Sequence, residues 1–265
     1  MSAPMLTVLK VGGNVIDDPA KLEALLRAFA ALEGPKLLVH GGGKLASAMA
    51  RSMGIEPTLV DGRRITDEAM LRIVTMTYAG WIGKQIAARL TAIGCRAVSL
   101  CGADGALIPA TRRAPVPIDF GHVGDPVESD VDTDLLRSLL DQGVVPVIAP
   151  ITADRGGQLL NTNADTVAAV LAGALAMHRP VRLFLAFEKD GVLDEAGQVI
   201  ASLSPGLARQ HIASGVVKDG MRPKLDAGFR ALDHGVSEVV IGASDHVEQV
   251  LAGKAVATRL ISDTP

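Results

Sequence analysis

Short apolar runs alternate with longer helical segments along the chain, and this order constrains the fold more than any other feature. The runs "MLTVLKV" (5–11), "KLLVH" (36–40) and "VRLFLAF" (181–187) have the length and the Val/Leu content of strands buried in a parallel sheet. Segments of helical period, such as 164–177, lie between them. The alternation predicts an α/β fold with a mainly parallel sheet and right-handed crossovers.

Capping residues predict where several helices begin and end. Asp18 followed by Pro19 predicts a helix that stops at Gly34. We expect Thr66 to cap the helical segment that follows it. This segment is either one long helix or two abutting helices. The segment 103–127 is rich in proline and glycine, and we expect small antiparallel hairpins there.

Charge and composition exclude several classes of protein. The net charge of −3 gives no indication of a nucleic-acid or anionic-membrane partner. The chain shows no signal-peptide pattern, and no apolar run reaches the roughly 18 residues of a membrane span. Cys95 and Cys101 form neither a C-x-x-C motif nor a disulfide framework, which favours a reduced, cytoplasmic protein. The six histidines lack ligand spacing, so we expect no metal site built by the protein.

Glycine-rich turns follow two of the predicted strands. "KVGG" ends the first strand with Gly12 and Gly13, and "VHGGG" ends the second with 41–43. Ligands of open α/β sheets bind outside the carboxyl ends of strands, where glycine lets backbone N–H groups approach an anion. Two such turns favour an anion site over two plain turns. Lys10, just before the first pair, also needs a partner if its strand is buried.

Polar residues at three further junctions extend this candidate site. "NTNAD" (161–165) places two asparagines and an aspartate before an apolar helix, although a helix cap needs only one of them. Lys224 lies in the first turn of a helix, where a cation is unfavourable unless an anion binds there too. Arg63 and Arg64 are suited to holding a carboxylate bidentately. For each junction, a plain cap or a surface charge is the alternative interpretation.

Five motifs in one order carry a family resemblance. "KVGG", "VHGGG", "DGRRITDE", "GQLLNTNADT" and "DGMRPKL" extend over nearly the whole chain and resemble those of the amino acid kinase family. The resemblance implies a three-layer α/β/α sandwich with a mainly parallel central sheet, formed by one domain over 1–265. Within it, sublobe 1–178 would bind an acylated amino acid and dimerise, and sublobe 179–265 would bind the nucleotide.

The "GRRIT" and "NTNAD" pair is most similar to the branch of the family that acts on N-acetyl-L-glutamate. The resemblance implies that the γ-phosphoryl group of ATP is transferred to the side-chain carboxylate, a step of arginine biosynthesis, with Mg²⁺ held mainly by the nucleotide phosphates. A carboxylate is ionised at pH 7, so no general base is needed.

By the same resemblance, Lys10 and Lys224 would flank the transferring phosphoryl group and Asp165 would orient both lysines. The implied substrate-binding residues are Gly42, Gly43, Arg64 and Asn161. The implied nucleotide-binding residues are Lys10, Gly12, Gly13, Gly191, Gly220, Met221 and Lys224.

One stretch departs from the family pattern. "LAFEKDGVLD" stands where the usual form is "LTDVxGVLD", so the aspartate is either replaced at Phe187-Glu188 or shifted to Asp190. The nucleotide contacts at this stretch therefore stay open. The first predicted strand begins close to Met1, without the additional N-terminal helix of arginine-inhibited members. The resemblance therefore predicts an arginine-insensitive homodimer.

Three alternative functions are left open. The "KVGG", "GRRITD" and "FEKDGVLD" variants also resemble a subgroup that uses N-succinyl-L-glutamate. A second alternative is a kinase of carrier-protein-bound α-aminoadipate, although no basic rim is evident for an acidic carrier. The third is a non-catalytic nucleotide-binding protein of the same fold, which the joint presence of Lys10, Asp165 and Lys224 disfavours.

Overall fold

Strands and helices alternate along the structure, a computed structural model that describes residues 3–60, 62–217 and 220–263. The strands in these ranges are β1 Leu6–Val11, β2 Lys36–His40, β3 Leu59–Val60, β4 Arg63–Arg64, β5 Ala97–Cys101, β6 Ala110–Arg112, β7 Gly124–Pro126, β8 Val145–Ala149, β9 Ile151–Ala153, β10 Leu159–Asn161, β11 Val181–Phe187, β12 Ser202–Leu203, β13 Glu238–Ala243 and β14 Thr258–Leu260. The α-helices are α1 Gly13–Ile16, α2 Pro19–Ala31, α3 Gly43–Ser52, α4 Glu68–Thr75, α5 Gly83–Ala92, α6 Thr133–Asp141, α7 Ala164–Ala176, α8 Pro205–Ala213, α9 Arg222–Asp233 and α10 Val247–Leu251.

An eight-stranded sheet lies at the centre, in the order β12-β14-β13-β11-β1-β2-β8-β5. Neighbouring strands are parallel except β13 and β14, which are antiparallel. The predicted mainly parallel sheet is therefore confirmed. Strand β1 lies between β11 and β2, so the carboxyl end of β1 is surrounded by the ends of other strands.

Helices cover both faces of this sheet. Side chains of β1 alternate between two hydrophobic clusters, since Leu6 and Val8 belong to one and Leu9 and Val11 to the other. The first cluster takes its helical members from α6 to α9, and the second from α1 to α5 and α10. The two clusters and the sheet between them make a three-layer α/β/α sandwich, as the family resemblance implies.

Two predicted helix boundaries need correction. Asp18 does cap α2, because its carboxylate accepts hydrogen bonds from the N–H groups of Ala20 and Lys21. The helix ends at Ala31, however, and Gly34 lies beyond it in the turn to β2 with φ +80°. Thr66 is not a cap. Asp67 caps α4 by accepting from the Met70 N–H group, since its carboxylate reaches one position further along the chain.

The helical segment after residue 66 continues without a break. Helix α4 passes into a π-helix, Met76–Ile82, which passes into α5. The expected antiparallel pairing within 103–127 is confirmed, because β6 pairs antiparallel with β7. Two further short hairpins, β3–β4 and β9–β10, were not predicted; each has strands too short to show a period in sequence.

Helix α7 is buried on nearly its whole surface and packs against α9. Ten of its residues are buried, among them Asp165, and an all-round apolar helix is typical of a protein core. A Cβ atom added at Gly173 would lie 2.9 Å from the Cβ atom of His234, so glycine permits the close approach of the two helices. Throughout the described ranges, each helix is too short or too polar to cross a bilayer.

Candidate active site

Two lysines and one aspartate form a buried cluster at the carboxyl end of the sheet. Lys10 Nζ lies 2.7 Å from Asp165 Oδ1, and Lys224 Nζ lies 3.0 Å from Asp165 Oδ2. Lys10 projects from β1, Asp165 from the first turn of α7 and Lys224 from the first turn of α9. The exposed fractions of the three side chains are 6%, 6% and 15%. The structure thus brings together the three residues predicted for catalysis.

The cluster keeps a net positive charge away from water. Burial acts to raise the pKa of Asp165, but Lys10 and Lys224 outweigh burial and lower the pKa to about 2. Burial lowers the pKa of Lys10 to about 8; the charge of Lys224 acts in the same direction and Asp165 opposes both. Two ammonium groups and one carboxylate leave one uncompensated positive charge. An anion bound beside the lysines would compensate it.

The two glycine turns lie side by side next to this cluster. Gly42 has φ +148°, and a Cβ atom there would lie 2.3 Å from Ile82 Cδ1 and 3.2 Å from the Tyr78 ring. Only glycine fits this position without displacing its neighbours. A Cβ atom on Gly13 would lie 3.6 Å from the backbone nitrogen of Gly43. Gly43 is the first residue of α3. The unpaired N–H groups at the N-terminus of this helix therefore lie beside the first glycine turn.

A cavity of about 210 Å³ adjoins the second turn, and a hydrogen-bonded chain forms one wall. Arg64 is buried and its Nη2 donates to the Gly43 carbonyl and to Ser47 Oγ, both at 2.8 Å. Asn161 Nδ2 donates to Thr66 Oγ1 at 3.0 Å, and Thr66 Oγ1 donates to the Arg64 carbonyl at 3.1 Å. Thr66 therefore links Arg64 to Asn161. The predicted residues in this lining are Lys10, Gly13, Gly42, Gly43, Arg64, Asn161 and Asp165.

A larger cavity of about 690 Å³ lies on the other side of Lys10. Phe187 and Glu188, from the atypical stretch at the end of β11, also line it. The predicted residues in its lining are Lys10, Gly12, Gly13, Gly43, Arg64, Gly220 and Lys224. Lys10 and Gly13 line both cavities, so a group bound between the two would contact the lysine and the first glycine turn.

Two predicted nucleotide-binding residues line neither cavity. Gly191 is packed against β14, where a Cβ atom would lie 2.6 Å from Thr258 Oγ1. The same hydroxyl accepts a hydrogen bond from the Val192 N–H group, so this glycine serves close packing. Met221 is the residue before α9 and packs against the core. Asp190, the alternative position of the shifted aspartate, lies 3.6 Å from His246 Nδ1.

Three residues of the site were not predicted from the sequence. Arg113 lines the smaller cavity and forms an ion pair with Asp125 across the β6–β7 hairpin. Its segment has no periodicity, although its arginine pair repeats the pattern at 63–64. Tyr78, the single tyrosine of the chain, lines the same cavity from the π-helix. Thr66 was assigned to a cap, because a hydroxyl before a helix has the same local signature in both roles.

Two glycine turns at the strand ends of a three-layer sandwich, with a buried lysine pair of which Lys10 lines both cavities, indicate a site for transferring a phosphoryl group between small molecules. The chain belongs to the amino acid kinase family, whose model matches residues 5–243. It is 48% identical to acetylglutamate kinase of Bacteroides fragilis over 239 residues, which covers 89% of this chain and 91% of the relative. It is 45% identical to acetylglutamate kinase of Cytophaga hutchinsonii over 264 residues, covering 97% and 99%. A Streptococcus mutans protein of known structure shares the fold with a TM-score of 0.82 at 22% identity, covering 97% and 99%.

Proposed function

We propose that this chain transfers the γ-phosphoryl group of MgATP to the side-chain carboxylate of N-acetyl-L-glutamate, giving an acyl phosphate and ADP. One observation carries the proposal: Lys10, paired with Asp165, lies where the two cavities meet. The relatives of 45–48% identity are acetylglutamate kinases and match this chain over nearly their whole length.

The smaller cavity is the proposed site for the acylated amino acid. All of its lining residues belong to the sublobe 1–178, whereas the larger cavity adds residues from sublobe 179–265. Arg64 would hold the α-carboxylate, and Asn161 would bind the α-carboxylate or the amide. The cavity volume of about 210 Å³ suits a free small molecule better than a substrate attached to a carrier protein.

The larger cavity is the proposed site for the nucleotide phosphates. Gly12, Gly13 and Gly220 let the phosphates approach the backbone, and Lys44 adds a further cation to the wall. The described residues contain no group of three or more His, Cys, Asp or Glu side chains placed to hold a metal ion. Mg²⁺ is therefore proposed to enter as part of MgATP, held mainly by the phosphates.

The reaction needs positioning and charge stabilisation but no covalent intermediate. A carboxylate oxygen of the substrate attacks the γ-phosphorus atom, the bond to the β-phosphate bridging oxygen breaks, and ADP leaves with the electron pair. Lys10 and Lys224 would neutralise charge that develops on the equatorial and bridging oxygens. Asp165 holds both ammonium groups and is a positioning residue in this scheme.

The cell compartment and the assembly are also part of the proposal. Both cysteines are free thiols, which supports a reduced, cytoplasmic setting. A homodimer is supported by exposed apolar side chains of the π-helix, Met76 and Trp81.

Trapping the product tests the proposed reaction. Purified protein is incubated with MgATP and hydroxylamine, with N-acetyl-L-glutamate and N-succinyl-L-glutamate in parallel. We expect hydroxamate and stoichiometric ADP with the acetyl compound. Hydroxamate with the succinyl compound alone would retain the phosphoryl transfer and replace the acyl group. Hydroxamate from neither would contradict the proposed function.

A further inference from the structure

His40 is a fully buried histidine that ends β2, immediately before the second glycine turn. The spacing of the six histidines along the sequence assigns no role to His40. Burying an imidazole costs free energy unless its polar atoms are hydrogen-bonded, and an aliphatic side chain would fill the same core space without that cost. The polar contacts of the ring therefore need an explanation.

The ring makes one hydrogen bond, to the turn itself. His40 Nδ1 lies 2.8 Å from the carbonyl oxygen of Gly41. A carbonyl oxygen only accepts, so Nδ1 carries the proton and donates it. Within the described part of the chain, Nε2 is buried without a hydrogen-bond partner. Burial lowers the pKa of His40 to about 4, although the bond to Gly41 opposes this. The ring is thus neutral at pH 7.

This bond fixes the direction of the next N–H group. The peptide unit between Gly41 and Gly42 is planar, so its carbonyl and its N–H group point in opposite directions. Because the carbonyl points at the buried ring, the Gly42 N–H group points away from the ring. It has no acceptor in the part of the chain that the structure describes, and both glycines line the smaller cavity.

A peptide between two glycines is the one most easily turned over, because neither residue has a Cβ atom to resist rotation. The other contacts of the turn leave this peptide free: the Gly41 N–H group donates to the Val11 carbonyl, and the Gly42 carbonyl accepts from Ala46. The fold also makes room for the ring. A Cβ atom at Gly83 would lie 3.2 Å from His40 Nε2.

We propose that His40 is a positioning residue, whose hydrogen bond to the Gly41 carbonyl holds the Gly42 N–H group toward the reacting groups. This inference rests on the proposed phosphoryl transfer, since the benefit of a fixed donor is greatest where negative charge develops. Without His40 the peptide would populate the flipped orientation, which places a carbonyl oxygen where an anion must bind.

Two substitutions of matched shape test this role. Asparagine places an amide donor close to the position of Nδ1, and leucine has the same branching without a donor. We expect His40→Leu to lower kcat by about a hundredfold, the scale of one lost preorganised donor, with the KM for ATP within about threefold of wild type. His40→Asn is expected to recover at least about tenfold of that loss. Equal kcat values for the two variants would overturn the proposal.

The tautomer supplies a second test that needs no activity. In ¹⁵N-histidine-labelled wild-type protein, assigned against His40→Asn, the His40 signals should show a protonated Nδ1 and stay neutral from pH 7 to pH 5. A protonated Nε2, or titration of His40 near pH 6.5, would overturn the proposal. Because this spectrum is recorded without substrate, it stays interpretable if no hydroxamate is formed and the proposed function fails.

Discussion

At the scale of single residues, the site depends on charges that are buried and shared. Asp165 pairs with both Lys10 and Lys224, so each lysine is held by the same carboxylate. Removing one partner of a buried pair usually costs more than the pair contributes, because a buried charge is left behind. The arrangement is therefore poorly suited to stability alone and well suited to binding an anion.

Removing one lysine should impair the chemical step. We expect Lys10→Ala or Lys224→Ala to lower kcat at least about a hundredfold, since one charge on the transferring phosphoryl group is lost. Lys21→Ala, an exposed lysine on α2, is the control and should keep the wild-type kcat. Steady-state ADP release measures the effect. A kcat near the wild-type value for both site variants would contradict the assigned roles.

The lowered pKa of Lys10 predicts a pH dependence of kcat/KM that a change in protein stability would not produce. The free protein needs a protonated Lys10, so kcat/KM for ATP should fall as the pH rises through about 8. Bound phosphates would raise this pKa, so kcat should hold to higher pH.

As the pH rises, Lys10 changes the stability of the protein in the opposite direction to kcat/KM. Its folded pKa of about 8 lies below the ordinary lysine value of 10.5, so the unfolded chain binds more protons between these pH values. The contribution of Lys10 to the free energy of unfolding therefore rises from pH 8 to 10.5. Thermal unfolding measured beside kcat/KM separates the two effects. A flat kcat/KM profile from pH 7 to 10 would contradict the prediction.

At the scale of secondary-structure elements, the π-helix shapes the second glycine turn. Tyr78 and Ile82 project from it against Gly42, and Gly83 at its end leaves space for Ser99 and the His40 ring. π-helical turns are frequent at functional sites because they shift the register of the following helix.

Two glycines in this helical segment make a matched pair for mutation. A Cβ atom at Gly83 would lie 2.5 Å from Ser99 Oγ and 3.3 Å from the Tyr78 carbonyl oxygen. We expect Gly83→Ala to lower the free energy of unfolding by about 1–3 kcal/mol through overpacking. At Gly80 the nearest atom is 3.9 Å away, so Gly80→Ala should be neutral or stabilise by up to about 1 kcal/mol. Urea unfolding compares them, and equal effects would contradict the packing argument.

An ion pair ties the end of the β6–β7 hairpin to α9, the helix that carries Lys224. Arg230 Nε and Nη2 lie 2.7 and 2.9 Å from the carboxylate oxygens of Glu128, and Nη2 also donates to the Pro126 carbonyl at 3.1 Å. Glu128 is 9% exposed. Arg230→Gln should cost about 3 kcal/mol of unfolding free energy, because the buried carboxylate loses its main partner.

A surface pair supplies the control for this substitution. Arg137 pairs with Asp134 on α6, where the two side chains are 40% and 88% exposed. Arg137→Gln should cost less than about 0.5 kcal/mol, since exposed pairs contribute little. Denaturant unfolding measures the free energy of unfolding of both variants. If Arg230→Gln lowers it no more than Arg137→Gln, the ion pair with Glu128 does not stabilise the packing of the hairpin end against α9.

The sequence predicted the elements better than their junctions. Mainly apolar runs predict the inner strands of the central sheet, because both faces of these strands are buried. The shift from Thr66 to Asp67 as the cap, and the π-helix within a helical segment, depend on side-chain hydrogen bonds and on packing against Gly42 and Gly83. These have no periodic signature.

At the scale of the whole molecule, the site could be predicted because parallel strands end at one edge of a sheet. Lys10 and Lys224 are far apart along the chain, but one lies near the end of a strand and the other in the first turn of a helix. Each glycine turn or capping sequence therefore marked the same edge. Arg113 and Tyr78 reach the site by other routes, from a hairpin and from the middle of a helix. Neither position follows a predicted strand end or helix cap, so only the folded structure brings them to the cavity.

The proposed homodimer places one apolar region of the surface at an interface. In the π-helix, Met76 and Trp81 are 52% and 61% exposed, and Met76 also lines a groove of about 460 Å³ with a mainly apolar lining. Isolated exposed apolar residues are ordinary, but a continuous group of them is typical of an interaction surface. The strand β5 is the neighbouring edge of the sheet and offers unpaired backbone groups.

A charge placed in this region should separate the two copies. We expect light scattering to give twice the chain mass of 27.5 kDa for the wild type and one chain mass for Trp81→Glu, because a carboxylate buried at an interface would lack a partner. Val256→Glu is the control: Val256 is also 61% exposed but lies before β14, the neighbour of β12, which is the opposite edge strand of the sheet. It should remain dimeric. A monomeric wild type would refute the dimer, and a Trp81→Glu variant that remains dimeric would place the interface elsewhere.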